Sequence, residues 1–122
     1  MVRICIPTMG WGGLEEEVSE HFGRAPTFTI IELETGRVEV VPNAGRHGGG
    51  GPPPAQILKN WGVDVLICSG IGPRAANFLK ASGIEVYYGR ARTVREALED
   101  FKAGRLSAFQ GERNTCPEHR GL

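Results

Sequence analysis

VDVLICSGIGPRAA, residues 63–76, sets an almost unbroken apolar run against a glycine-rich turn and a proline. Only Asp64 interrupts Val63–Cys68, and such continuity marks a central parallel strand covered on both faces. Ser69-Gly70-Ile71-Gly72 turns the chain. Pro73 then suits a first helical turn, where its missing N–H has no partner to lose. Ala75, Ala76 and Leu79 fall along this helix, Gly83 ends it, and Ile84–Tyr88 is the strand that completes a β-α-β unit.

The rest of the chain extends the unit in both directions. Val2–Pro7 reads as a buried strand, and residues 8–26 as a long irregular loop with Glu15-Glu16-Glu17 near its middle. Thr27–Leu33 and Val38–Val41 are β-branched runs joined by Glu34-Thr35-Gly36-Arg37, a hairpin signal. Ala55–Trp61 predicts a short helix stopped by Gly62. Thr93-Val94-Arg95-Glu96 is a capping box for a third helix, with Val94, Ala97, Leu98 and Phe101 on one face and Gly104 as its stop. The order β-β-β-α-β-α-β-α predicts an α/β domain over residues 1–109, with a mixed sheet and helices on both faces. Residues 110–122 are polar and aperiodic, a flexible tail.

At 122 residues the chain makes one domain. Fourteen acidic and fourteen basic residues cancel, so the electrostatic footprint of a nucleic-acid binder is missing. No apolar run approaches the ~20 residues of a membrane span. Three cysteines, an odd number, argue against a disulfide framework and for a reducing cytoplasm. A soluble cytoplasmic protein is expected, as a monomer or weak homo-oligomer.

The candidate site residues are in loops. Gly70-Ile71-Gly72-Pro73-Arg74-Ala75 fits a dinucleotide fingerprint, but the next strand ends without the carboxylate that would hold a ribose. A tight strand-to-helix turn is the better reading, with Gly70 and Gly72 able to offer amides to an anion. His47-Gly48-Gly49-Gly50-Gly51 is no P-loop, because prolines follow where lysine and a hydroxyl residue are needed. A run without Cβ atoms can instead wrap a bulky ligand while an imidazole beside it coordinates. His21, before Phe22-Gly23-Arg24, is the second such imidazole, and the two histidines are expected to share a pocket. Ser19 lacks a nucleophile elbow, and no paired carboxylates fall on strands. Cys116-Pro117-Glu118-His119 offers half a tetrahedral zinc site or a supplementary ligand pair.

Ser19-Glu20-His21-Phe22-Gly23-Arg24-Ala25-Pro26, followed by a strand, resembles the S-x-H-F-G-R-A signature of the dinitrogenase iron–molybdenum cofactor biosynthesis family. That family includes NifX- and NafY-type accessory proteins and the C-terminal part of NifB. The resemblance continues through Asn43, His47–Gly51, Ala55, Leu58 and Gly62–Ile67. It also takes in Gly70-Ile71-Gly72, Ala75, Leu79 and Gly83–Val86, so that it covers roughly residues 2–103. It implies a ribonuclease-H-like three-layer fold with five strands in order 3-2-1-4-5 and strand 2 antiparallel. It implies a carrier of iron–sulfur-based cofactor precursors rather than an enzyme, working between metallocluster donor and acceptor proteins. His21 is then the first candidate ligand, with Arg24 and His47 nearby. The family's loop commonly reads H-G-x-G-H-G, whereas here Pro52 follows Gly51 and the second loop histidine is missing. A regulatory or interaction module binding a small anion or partner at the same loops is the reading from another class.

Overall fold

Strand β1, Arg3–Thr8, has a neighbour on each side and a core on each face. The computed structural model describes residues 2–44 and 53–109. In it β2, Thr27–Glu32, runs antiparallel to β1 with Cys5 opposite Ile30, and β3, Val38–Pro42, closes the predicted hairpin. On the other side β4, Val65–Cys68, pairs parallel with Cys5 opposite Leu66. Beyond it lies β5, Glu85–Tyr88, also parallel. Asp64, the charge in the apolar run, sits at the open start of β4. Its carboxylate accepts from Arg3 N at 2.8 Å, and its carbonyl accepts from Glu85 N at 3.0 Å.

The order 3-2-1-4-5 with β2 antiparallel holds, but the sheet has six strands rather than five. β6, Ser107–Ala108, is a two-residue strand antiparallel to β5. It is too short and too polar to leave a periodic signal. What holds it is the next residue: Phe109 is buried, donates its N–H to Val86 O at 2.8 Å, and meets the Tyr88 ring edge-on. Residues 110–122, expected to be a flexible tail, lie outside the described residues.

Alternation along β1 and β4 sends side chains into two cores. Cys5, Phe28, Leu66 and Cys68 pack with Leu58 of α1, Pro54–Asn60, and with Ala76 and Leu79 of α2, Pro73–Ala81. Ile4, Ile6, Val65 and Ile67 pack on the opposite face with Val94, Ala97 and Leu98 of α3, Val94–Lys102. The three layers are therefore helices, sheet, helix. Gly62 (φ 69°) and Gly83 (φ 86°) end α1 and α2 in the left-handed region, where a Cβ is strained. At α3 the Thr93 hydroxyl accepts from Glu96 N as predicted, while the Glu96 carboxylate caps one residue further out, on Arg92 N at 3.0 Å. No helix among the described residues is long and apolar enough to cross a membrane.

The 9–26 segment is stitched rather than irregular. The Glu16 carboxylate accepts from Gly12 N at 2.9 Å and Glu17 N at 3.1 Å. Val18 N donates to Arg92 O, and Val94 N to Glu16 O, which ties the segment to the start of α3. Beneath it three buried hydroxyls form a directional chain. Thr29 donates to Thr8 at 3.0 Å, Thr8 to Thr27 at 2.6 Å, and Thr27 to Gly10 O at 2.7 Å. Thr27 also reaches Thr8 O at 3.1 Å, and this direction gives each of the three protons an acceptor among the described residues. Further on, Phe22 N donates to Gly70 O at 3.0 Å and the Phe22 ring stacks on Phe28. A Cβ on Gly70 would lie 2.9 Å from Glu20 O, so the 19–25 turn seats on the β4–α2 turn only over a glycine.

Two predictions follow from this packing. Gly70→Ala should cost about 1–3 kcal/mol in urea unfolding, because the clash is with backbone that cannot swing aside. Gly72→Ala, with nothing within 4 Å, should cost less. Equal effects would show that the seat is not sterically set. The second concerns Cys5 and Cys68. Burial pushes the Cys68 thiol up to about 12, and burial, then the nearby Cys68, raises Cys5 well above the ordinary thiol value. Both stay neutral in the fold while the unfolded chain ionises near pH ~8.5, so stability is full below that value and falls as pH rises toward 12. Native protein at pH ~8 should leave both unlabelled by iodoacetamide, and urea should expose both. The alkaline fall in urea midpoint should be shallower in Cys68→Ala.

Candidate functional site

The topology opens a crevice at one end of the sheet. From the carboxyl end of β1 the chain turns to β2 on one side, while from the same end of β4 it crosses through α2 to β5 on the other. Loops that part in this way leave room for a ligand between them. The 19–25 turn lies across the opening as a ridge. Ser19 holds the ridge from below: it is buried, its hydroxyl donates to His21 O at 3.2 Å and accepts from His21 N at 3.3 Å. Asn43, also buried, clamps the far side by donating Nδ2 to Gly23 O at 3.3 Å and Ala25 O at 3.0 Å.

Consecutive residues of the ridge face two depressions. His21 lines a polar cleft of about 470 Å³ whose walls are Glu17, Val18, Glu20, Ser69, Gly70 and the Arg90-Ala91-Arg92 stretch after β5. Phe22 lines a groove of about 360 Å³ between the starts of α1 and α2, mostly apolar, with Gly72 and Arg74 on its edge. His21 is exposed. Among the described residues, none of Glu17, Glu20, Arg90 and Arg92 forms an ion pair. The cleft thus offers one imidazole nitrogen, two unpaired guanidinium groups, a hydroxyl at Ser69 and two carboxylates. No three metal-ligating side chains come together among the described residues.

Of the predicted site residues, the structure brings His21 and Gly70 into the cleft and puts Gly72 in the groove. Arg24 is exposed and lines neither depression. His47, Gly48, Gly49, Gly50, Gly51, Cys116 and His119 lie outside the described residues, so the shared pocket of His21 and His47 does too. Arg90 and Arg92 were missed. Their signal was positional: they follow a parallel strand, at the end where all such loops converge. Ser19 and Asn43 belong to the recognised motifs, but their roles as clamps need the tertiary contacts.

Residues 2–104 match the family described as dinitrogenase iron-molybdenum cofactor. An uncharacterised protein of Methanocaldococcus jannaschii is 36% identical over 98 residues, which is 76% of this chain and 83% of that one. The NMR structure of a Thermotoga protein, described provisionally as a NifB protein, is 41% identical, with a TM-score of 0.77 over 88% of this chain and 93% of its own. The apo form of the orange protein from Desulfovibrio gigas is 34% identical, with a TM-score of 0.80 over 91% and 95%. By sequence and by fold, this chain belongs to the dinitrogenase iron-molybdenum cofactor family.

Proposed function

We propose that this chain is a non-catalytic carrier in cofactor biosynthesis. Its cargo is an anionic iron–sulfur-based cluster or iron–molybdenum cofactor precursor, passed from a donor to an acceptor protein in the cytoplasm. The observation that carries this reading is the company His21 keeps in the switch-point cleft. A preformed cluster brings its own sulfide, so one imidazole from the protein can anchor it. Arg90 and Arg92, in no ion pair among the described residues, answer its negative charge. Both buried thiols stay protonated and out of reach, so cargo is not drawn into the core.

Other features support the same reading. The family's own description refers to the iron-molybdenum cofactor, and the orange protein was solved in an apo form. His47 enters as a second ligand from the sequence motif and the resemblance to the family. Asn43 and Pro53, described residues on either side of the glycine run, both adjoin the ridge.

The test is anaerobic loading with a four-iron, four-sulfide cluster ligated by a small thiol, followed by gel filtration and visible absorption. The intact protein should retain cluster. His21→Ala should lose about tenfold or more in affinity without unfolding, and Arg90→Ala with Arg92→Ala a similar factor that shrinks at high salt. Arg24→Ala should change little. Undiminished affinity in His21→Ala, His47→Ala would overturn the site, and failure of the intact protein to retain any cluster would leave the interaction-module reading.

A further inference from the structure

The cleft holds charges of both signs and leaves them unmatched. Glu17, Glu20, Arg90 and Arg92 all line it, all four are exposed, and none joins an ion pair among the described residues. Separation along the backbone does not explain this. Val18 N donates to Arg92 O at 2.8 Å and Val94 N to Glu16 O at 3.1 Å, so residues 16–18 and 92–94 run side by side, with Glu17 across from Thr93. Further along the same two stretches a pair is made, for Arg95 Nε donates to the Glu15 carboxylate at 2.7 Å. Glu15 and Arg95 lie outside the cleft, as do the paired Arg3 with Glu32 and Arg105 with Asp100. Charges meet elsewhere on this molecule and stand apart inside the cleft. There each acts on whatever enters, and a carboxylate repels an anion by the same law that lets a guanidinium attract it.

We propose that Glu17 and Glu20 are specificity-determining residues of the cleft, which limit how tightly it holds an anion and so let the anion leave. They act in two ways. While an anion is bound, each carboxylate repels it, and the repulsion grows with the anion's charge. As the anion departs, the same carboxylates are the near partners that Arg90 and Arg92 regain, since all four share the cleft wall. The arginines gather the cargo and the carboxylates keep the hold reversible. A cleft lined by cations alone would bind more tightly and release more slowly. That the anion is a metallocluster rests on the carrier reading. The charge balance does not.

Titration with hexacyanoferrate(II) separates charge from coordination, because this highly charged anion keeps its own ligands and cannot take up an imidazole. Binding is read by NMR at the Gly70 amide, on the cleft wall. At low salt the dissociation constant should fall about threefold in Glu17→Gln and in Glu20→Gln, and about tenfold in the double variant. The gain should shrink at high salt. Glu15→Gln, which breaks the pair with Arg95 outside the cleft, should change it little. Loaded with the thiolate-ligated four-iron cluster, the double variant should also yield its cargo to excess free thiol more slowly, by a similar factor. Unchanged or weaker hexacyanoferrate binding in the double variant, an equal gain in Glu15→Gln, no response at Gly70 in any variant, or cluster released no more slowly would each overturn the proposal. Tighter hexacyanoferrate binding in a chain that retains no cluster would sustain it while the carrier reading fails. Retained cluster with no gain for either anion would do the reverse.

Discussion

Everything in this molecule is arranged around the full burial of β1. Ile4, Cys5 and Ile6 have no solvent exposure, because strands flank β1 on both sides and helices cover both faces. A strand so enclosed can carry polar groups only where they are fully paired, as in the Thr8–Thr27–Thr29 chain. It can also leave the core only at its ends. With β2 antiparallel on one side and β4 parallel on the other, the carboxyl end of β1 becomes the point where loops diverge. The cleft is a consequence of that pairing. The glycine at position 70 is a further consequence, since the returning loop must lie directly on the β4–α2 turn.

The same enclosure sorts the chemistry of the side chains. Cys5 and Cys68 would be strong soft ligands in water, but in the core they act as small apolar residues with their protons held on. His21 is carried outward on a turn whose backbone is fixed by Ser19 and by the Phe22–Gly70 bond, so its ring meets solvent while its position is kept. The carrier role proposed above calls for that combination. Cargo must be met by few contacts on an ordered support, because many strong ligands would keep what has to be handed on. Charge is sorted as well, with cations alone on α1 and α2 and carboxylates alone on the loop after β1.

Local pattern in the sequence determined a good deal. The apolar run 63–68, the hairpin runs, the proline-initiated helices and the glycine stops reported the α/β order, the five main strands and their succession. Burial on two faces and helix termination act on neighbouring residues, so such signals are written into short windows. The H-F-G-R-A stretch marked the family and His21. Three things were decided by tertiary structure alone. β6 exists because Phe109 finds a core, not because Ser107-Ala108 favours a strand. Arg90 and Arg92 join His21 because parallel strands bring distant loops to one end of the sheet. Arg24, only three residues from His21, faces neither depression because the turn between them carries it away. Proximity in a folded chain is set by strand order and direction, and no window of sequence contains that information.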